Sequence, residues 1–419
     1  MANHVKQAII LVTGLFLIGV SSIEAQESEV IPSMDPISEV ITLPDACDNP
    51  TTRKWGPDDE LGNQNYLTPD RVSKNLSLIQ SGKVYNLAHV IEPGQMGFDG
   101  YFDFKTDLAP WPGRGAEEAI FIVDETIGNS THNPDRKGIL QGEIGTQLDG
   151  FLHATMKGIA YNCYDVRDPA NHLLAEGDPG DLPKGNPKAN YIFRGHNKLG
   201  IQNVGTIIAR AILIDVGQLL RERESAAGRD PDQFPPSVYE FTPEDLEQAL
   251  IRQGLTVNDI HPGDALLIRT GWAAKFWTSN PDDPRDDRKK YYNFGQSQEV
   301  MPGGTGLSLR AVQWTINRAP VLVSADTKSI ESRIGSAQTR EPAYSVPGHV
   351  SWLASGIHLL EDVDLEVLAA DCENERIQEI AKNNQPRSAD QSCYISTLIV
   401  PTIPTMGAAG STVAPTVIR

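Results

Sequence analysis

Four side chains suited to acid–base or metal chemistry lie within residues 143–153. They are Glu143, Gln147, Asp149 and His153. All four positions are odd-numbered, and alternate side chains of an extended strand leave from the same face. Gln147 and Asp149 would lie roughly 6.6 Å apart along a strand, close enough to approach one ion or two neighbouring ions. The outer two residues reach that centre only if the segment curls, which Gly145 and Gly150 would permit at little steric cost. The alternative is an ordinary half-buried strand that ends in a loop.

A second candidate segment runs from His349 to Glu361. On one straight helix these two residues would lie about 18 Å apart, too far to share a metal ion. Gly356 between them predicts instead a short helix, a turn at the glycine and a strand, which would bring Glu361 back toward His349. Together with Asp149 they would then supply nitrogen and oxygen ligands to a metal. A purely structural His and Glu is the alternative interpretation.

The elements that position these segments alternate between helix and strand, which predicts an α/β protein. Two helices are predicted to begin after capping residues, Thr68 and Thr242, each followed by a proline. A third helix is predicted over 308–318, and the charged residues 221–236 predict a loop. Strands are predicted over 83–90, 119–124, 206–216, 265–269 and 321–325.

Composition excludes some classes of partner. The chain has 419 residues, 39% of them hydrophobic and 22% charged, which is ordinary for a globular protein. Its net charge of −19 disfavours nucleic acid and anionic membranes, because both are bound through clusters of Lys and Arg. We therefore expect neither partner.

The first 25 residues differ in character from the rest. Lys6 precedes an apolar run over 8–20, and small residues follow, as in a secretory signal peptide. The run is shorter than the roughly 20 residues that span a bilayer, although an uncleaved anchor is the alternative. We predict a signal peptide over 1–25, a flexible leader over 26–45 and one folded domain over 46–419. Once the signal peptide is removed, we expect the mature protein to have no membrane partner and to be periplasmic or secreted.

Export makes the four cysteines candidates for disulfide bonds. They are Cys47, Cys163, Cys372 and Cys393. Four cysteines allow three pairings, and the sequence does not choose among them. We favour Cys372 with Cys393, because the segment between them is polar and resembles a loop.

The segments described above resemble the cyclase family of metal-dependent hydrolases, which includes bacterial kynurenine formamidase, isatin hydrolase and a trans-dienelactone hydrolase. That family carries the motif His-x-Gly-Thr-His-x-Asp-x-Pro-x-His, and the aligned residues here are Glu143, Gly145, Thr146, Gln147, Asp149, Phe151 and His153. Further matching pieces are Trp55–Gly62, Tyr161–Asn162, Pro262–Asp264, Thr270–Trp272, Asp326–Thr327, His349 with Glu361, and Gly407–Pro415. The resemblance spans roughly residues 50–419, and it is the order and spacing of the pieces that make it specific.

This resemblance implies the family's fold, a swivelling β/β/α domain with a mixed sheet and flanking helices. It also implies that Asp149, His349 and Glu361 are metal ligands and that His153 is the general acid/base. Glu143 and Gln147 occupy the positions of two ligand histidines, which makes the donor set harder and suits Mn²⁺ or Mg²⁺ better than Zn²⁺. We expect one or two divalent ions, Mn²⁺ or Zn²⁺.

The activity implied is hydrolysis of an amide, lactam, lactone or ester bond in a small molecule by metal-activated water. Phe151, Tyr161 and Trp272 are the aromatic residues expected to contact a planar substrate, and the protein is expected to be a homo-oligomer. An exported small-molecule binding protein that kept the fold and lost the chemistry is the alternative. A serine hydrolase is disfavoured, because the sequence lacks a Gly-x-Ser-x-Gly turn.

Overall fold

The structure is a computed structural model, and the residues it describes fall within one compact unit that spans 36–419. The described residues are 47, 53–90, 108–110, 119–122, 145–156, 158–176, 191–235, 238–276, 304–327, 329–332, 347–383 and 389–419. The predictions made for residues 1–45 lie outside these ranges and stay predictions.

Strands and helices alternate along the described chain. The strands are β1 (Val84–Asn86), β2 (Leu108–Pro110), β3 (Ala119–Ile122), β4 (Gln147–Asp149), β5 (Ala154–Met156), β6 (His172–Glu176), β7 (Tyr191–His196), β8 (Ile207–Asp215), β9 (Val238–Phe241), β10 (Ala265–Arg269), β11 (Gly304–Leu307), β12 (Leu322–Ala325), β13 (His358–Glu361), β14 (Ile395–Val400), β15 (Gly410–Thr412) and β16 (Thr416–Ile418). The α-helices are α1 (Pro69–Leu76), α2 (Val216–Ala226), α3 (Pro243–Arg252), α4 (Trp272–Phe276), α5 (Leu309–Ile316), α6 (Pro347–Ala354) and α7 (Glu366–Asn383).

One mixed sheet of nine strands organises the molecule. Its order is β1-β16-β14-β8-β10-β12-β13-β4-β15. The four neighbours β8, β10, β12 and β13 are parallel, and helices connect them along the chain. The strands on either side of this group pair antiparallel. The fold is therefore α/β with a mixed sheet and flanking helices, as the sequence predicted.

The parallel strands form the centre of the core. Every residue of β10 and β12 is buried, as are the last five residues of β8. Nearly continuous apolar runs of this kind are typical of parallel strands covered on both faces. The strands predicted over 206–216, 265–269 and 321–325 are confirmed to within one residue at each end. The strand predicted over 83–90 is present as the shorter β1, and that predicted over 119–124 is present as β3 over the residues of this range that the structure describes.

Helix starts agree with the capping residues seen in the sequence. The Thr68 side chain accepts a hydrogen bond from Arg71 N before α1. Thr242 and Asp245 form a reciprocal capping box at the start of α3. Each arrangement satisfies backbone N–H groups that have no partner inside the first turn of a helix. The helix predicted over 308–318 is α5.

The loop predicted over 221–236 is wrong for its first part, because α2 extends to Ala226. The Asp215 side chain caps α2 by accepting from Gln218 N at 3.0 Å, and Leu220 on the inner face is buried. The charged residues that suggested a loop lie on the outer face of this helix. Charge in that stretch reported exposure to solvent rather than irregular structure.

Two disulfides link distant parts of the chain: Cys372 with Cys393, and Cys47 with Cys163. The favoured pair is confirmed, but the reason given for it is wrong. Much of the segment between Cys372 and Cys393 is helix, because α7 continues to Asn383. This disulfide ties α7 to the chain just before β14. Within the described ranges, no helix is long and apolar enough to cross a membrane.

Candidate metal centre

The candidate site is built on β4, which lies between β13 and β15. In the antiparallel pairing of β4 with β13, Glu361 lies opposite Gln147 and Leu359 lies opposite Asp149. Residues opposite one another point to the same face, and so do residues two apart on one strand. The side chains of Gln147, Asp149 and Glu361 therefore share one face of the sheet, and all three are buried.

The helix–turn–strand predicted for the second segment is confirmed and delivers His349 to the same place. Gly356 ends α6 with φ +73°, and two backbone hydrogen bonds close the turn, from Gly356 N to Leu353 O and from Ile357 N to Trp352 O. This is a Schellman ending, in which glycine adopts the left-handed conformation without strain. His349 Nε2 consequently lies 3.1 Å from Glu361 Oε1 and 4.0 Å from Asp149 Oδ2.

His153 reaches the cluster because the chain turns directly after β4. The turn is closed by His153 N donating to Gly150 O at 3.0 Å, while Gly150 N donates to Ala409 O at 2.7 Å. A Cβ on Gly150 would lie 2.6 Å from that same oxygen, so the close approach requires glycine. The curl expected at this position is therefore present. It places His153 Nε2 3.9 Å from Asp149 Oδ2 and the His153 ring 5.8 Å from the His349 ring.

The donor set fits a divalent cation. One ligand atom each from Asp149, His153 and His349 lies within 4.8 Å of the others, and all three residues are buried. Glu361 Oε1 is also buried and lies 3.1 Å from His349 Nε2. Burying several carboxylates together is unfavourable unless cations balance them. Carboxylate oxygens with imidazole nitrogen are ligands that Mn²⁺ and Zn²⁺ both accept.

Gln147 faces both carboxylates of this centre. Its amide nitrogen lies 3.3 Å from Asp149 Oδ1 and 3.4 Å from Glu361 Oε2. An amide can be turned to present its oxygen instead, so the site accommodates Gln147 as a hydrogen-bond donor or as a ligand. Its role as a ligand stays a prediction. Glu143, the other residue at a ligand-histidine position, lies outside the described residues.

Glu331 is the residue of this centre that sequence reasoning missed. Its two carboxylate oxygens lie 2.7 and 2.8 Å from His349 Nδ1, and one of them also accepts from His349 N at 3.0 Å. Glu331 is fully buried. No motif marks it, and 18 residues separate it from the histidine it contacts. A signal could have come only from asking which acidic residue pairs with His349.

Charges around His349 control its protonation. Burial lowers the pKa of His349, but the carboxylates of Glu331 and Glu361 outweigh that effect and raise the pKa well above its ordinary value. Burial likewise raises the pKa of Glu331, and the interaction with His349 outweighs it and lowers this pKa. The surroundings of His349 Nε2 therefore favour positive charge there, which a proton or a metal ion supplies.

The predicted substrate-contacting aromatics lie close to or within the core. The Phe151 ring is 1% exposed and stacks on His358 at 4.3 Å, with Tyr161 at 4.7 Å on another side. Burial lowers the pKa of His358 to about 4, so the stacked imidazole is neutral. Tyr161 is half-buried and its hydroxyl donates to Asp59 at 2.7 Å, while Trp272 is buried. A role in substrate binding stays a prediction for these three aromatic residues.

Comparisons with known proteins agree with the resemblance found in the sequence. The model of the Cyclase family matches residues 85–332, which include Gln147, Asp149, His153 and Glu331. A solved structure described as that of a novel cyclase is 25% identical, covers 88% of this chain and 98% of its own, and superposes with a TM-score of 0.54.

Isatin hydrolases A from Labrenzia aggregata and Ralstonia solanacearum are more distant. They are 13% and 16% identical, with TM-scores of 0.39 and 0.40. The first covers 83% of this chain and 97% of its own, and the second 84% and 98%. No curated protein gives a significant match. Because the family model matches more than half of the sequence, this chain belongs to the cyclase family.

Proposed function

We propose that this protein is a metal-dependent hydrolase that cleaves an amide, lactam, lactone or ester bond in a small molecule. Family membership supports a hydrolase-type function. The observation that carries the proposal is the convergence of Asp149, His349 and Glu361 in one buried cluster, with His153 Nε2 3.9 Å from Asp149 Oδ2. Burying this combination of carboxylates and imidazoles costs free energy unless a cation compensates it, so it is not expected of a core that only stabilises the fold.

In this proposal Asp149, His349 and Glu361 hold the divalent ion, Mn²⁺ or Zn²⁺. A bound divalent ion lowers the pKa of water from about 15.7 to about 7, which supplies a nucleophile at neutral pH. The three side chains come from β4, α6 and β13, so the sheet and its flanking helix hold them in place. Their burial keeps bulk water away and strengthens each electrostatic contact.

His153 is proposed to carry the proton. An imidazole titrates near neutrality, so it can accept a proton from the attacking water and return it to the leaving group. His153 is 7% exposed and lies on the turn after β4, with a ring nitrogen within 4.8 Å of ligand atoms of Asp149 and His349. This position is suited to a group that meets both the ion-binding residues and a bound small molecule.

The test combines metal analysis with a substrate panel. The full chain would be purified, its metal content measured, and the hydrolysis of formamides, lactones and esters followed before and after adding Mn²⁺ or Zn²⁺. We expect bound metal and metal-dependent turnover of at least one class. The variant Glu361→Gln should lose both, whereas the matched control Glu244→Gln, whose side chain is 55% exposed in a surface ion pair, should lose neither. Absence of metal and turnover in the parent, with a small molecule still bound, would show a binding protein instead.

A further inference from the structure

We propose that Glu331 is a positioning residue for the metal centre, which fixes the imidazole of His349 so that Nε2 faces the ion. This inference rests on the proposed metal-dependent function and adds to it a residue outside the resembled ligand set. The argument depends on three observations: how Glu331 meets His349, how Glu331 is itself held, and where the other ring nitrogen lies.

Both carboxylate oxygens of Glu331 lie on one nitrogen of the ring. They are 2.7 and 2.8 Å from His349 Nδ1, and Oε1 also accepts from His349 N at 3.0 Å. An ionised carboxylate can only accept, so Nδ1 must carry a proton. The backbone contact lies in the first turn of α6, where N–H groups have no partner inside the helix. One side chain therefore holds both the ring and the start of its helix.

Glu331 has little freedom to move. A parallel bridge pairs it with Leu307 at the end of β11, through hydrogen bonds of 2.8 Å from Leu307 N to Ile330 O and from Ser332 N to Leu307 O. Two glycines make room for it. A Cβ on Gly306 would lie 2.5 Å from the Glu331 carbonyl carbon, and one on Gly348 would lie 3.0 Å from Glu331 Cβ. The bridge to β11 and the close packing on the two glycines thus hold Glu331 in a fixed position.

The other ring nitrogen faces the ligand cluster. With the proton on Nδ1, the neutral ring has its lone pair on Nε2, which lies 3.1 Å from Glu361 Oε1 and 4.0 Å from Asp149 Oδ2. Imidazoles that bind metals commonly donate their second N–H to a carboxylate, which sets the tautomer and makes the ligand more basic. Removing such a partner weakens metal affinity by roughly 10–100-fold.

The test substitutes Glu331→Gln in the full chain and measures the Kd for Mn²⁺ alone, and separately for Zn²⁺. Glutamine fills the same space, but its amide can donate to Nδ1 and so favour the tautomer whose Nε2 carries the proton. We expect affinity to fall roughly 10–100-fold. Glu331→Asp keeps an accepting carboxylate, so its metal affinity should lie between that of the parent and that of Glu331→Gln. The affinity of Glu244→Gln should equal that of the parent. Affinity of the folded Glu331→Gln variant within about two-fold of the parent would overturn the proposal.

A second measurement does not depend on any variant folding. In parent protein labelled with ¹⁵N-histidine, the Nδ1 proton held by Glu331 should give a far-downfield, slowly exchanging proton resonance. A parent without this resonance overturns the proposal. If the parent shows the resonance but binds neither Mn²⁺ nor Zn²⁺, the proposed function fails while the positioning of His349 by Glu331 stands.

Discussion

At the scale of single residues, the centre depends on side chains that are far apart in sequence and close in space. Gln147 and Glu361 are 214 residues apart and lie opposite one another on paired strands. His349 joins them from a helix, and Glu331 sets its ring. Each of these groups is nearly or fully buried, so substituting one of them leaves its partners in an uncompensated environment.

The role of His153 as proton carrier is tested by His153→Ala. We expect kcat to fall by roughly 10²–10⁴-fold, because general acid–base catalysis contributes about that much. Metal content should stay nearly unchanged, since Asp149, His349 and Glu361 remain. Metal analysis and steady-state kinetics on the same preparation check both statements. A variant that loses its metal would make His153 a ligand instead, a role its distance of 3.9 Å from Asp149 Oδ2 also permits.

Asp326 predicts a distinct dependence of stability on pH. Its carboxylate accepts hydrogen bonds from Thr270 N, Thr270 Oγ1 and Gly271 N at 2.7–2.8 Å. Burial, and next the negative charge of Glu366, nevertheless raise the pKa of Asp326 from 3.8 to about 6. The folded protein therefore binds this proton more tightly than the unfolded chain does. The stability contributed is fully present below about pH 4 and is lost as pH rises through about 6.

We expect the variant Asp326→Asn to remove this dependence. A pKa shift of one unit corresponds to about 1.36 kcal/mol, so the shift of the Asp326 pKa from 3.8 to about 6 amounts to about 3 kcal/mol of unfolding free energy. The unfolding free energy of the parent, relative to that of the variant, should fall by about that amount between about pH 4 and pH 7. Denaturant unfolding at several pH values measures it. If the unfolding free energies of the parent and of Asp326→Asn changed with pH in the same way, the raised pKa of Asp326 would be contradicted.

At the scale of elements, the turn between α6 and β13 decides whether His349 and Glu361 meet. Gly356 at this turn has φ +73°, and a Cβ there would lie 2.9 Å from Gly62 Cα and 3.0 Å from the Tyr161 ring. Gly228 ends α2 with the same Schellman hydrogen bonds and φ +72°, yet a Cβ there would meet no atom within 4 Å. The two glycines thus share a backbone conformation and differ in crowding.

This pair gives a matched test. Gly228→Ala should cost about 1–2 kcal/mol of unfolding free energy, from the left-handed conformation alone. Gly356→Ala should cost about 1–3 kcal/mol more, because the added methyl overpacks the turn. It should also weaken Mn²⁺ binding, which Gly228→Ala should leave unchanged. Denaturant unfolding and metal titration provide the two measurements. Equal losses of unfolding free energy in the two variants would show that the turn at Gly356 relaxes to accommodate the added methyl group.

At the scale of the whole molecule, the metal centre joins β4, α6 and β13, so occupancy should stabilise the entire fold. A ligand at about 100 times its Kd stabilises the native state by about 2.7 kcal/mol. We expect Mn²⁺ to raise the unfolding free energy by that amount and EDTA to reverse it. Because the chain carries a net charge of −19, nonspecific cation binding must be separated. The part of the Mn²⁺-induced increase in unfolding free energy that remains in Glu361→Gln measures nonspecific binding. An increase in this variant equal to that of the parent would contradict the assigned site.

Export is the second prediction at this scale. The signal-like residues 1–25 predict a mature chain that begins near Gln26, and the two disulfides are consistent with an oxidising compartment. Expression of the full chain in a bacterial host, followed by mass determination of the exported fraction, tests this. A chain that keeps Met1 and stays inside the cell would refute the prediction.

The sequence by itself determined much of the chemistry and the local structure. Residue types identified Asp149, His349 and Glu361 as candidate donors, and the capping residues and apolar runs located α1, α3 and the parallel strands. Gly356 predicted the helix–turn–strand correctly, because left-handed glycine at a helix end is a local preference. Such features depend on neighbours a few residues away, which a single sequence displays. The loop predicted at 221–226 was wrong, because the charged residues there belong to the solvent-exposed face of a helix.

Only the tertiary structure decided which residues complete the centre. Sheet order placed β4 between β13 and β15, and the antiparallel register then set Gln147 opposite Glu361. A slip of one residue would turn each side chain to the other face, and nothing local specifies that register. Glu331 likewise meets His349 only because β11 holds it beside α6. These contacts arise from packing between segments distant in the chain, which local patterns of sequence do not encode.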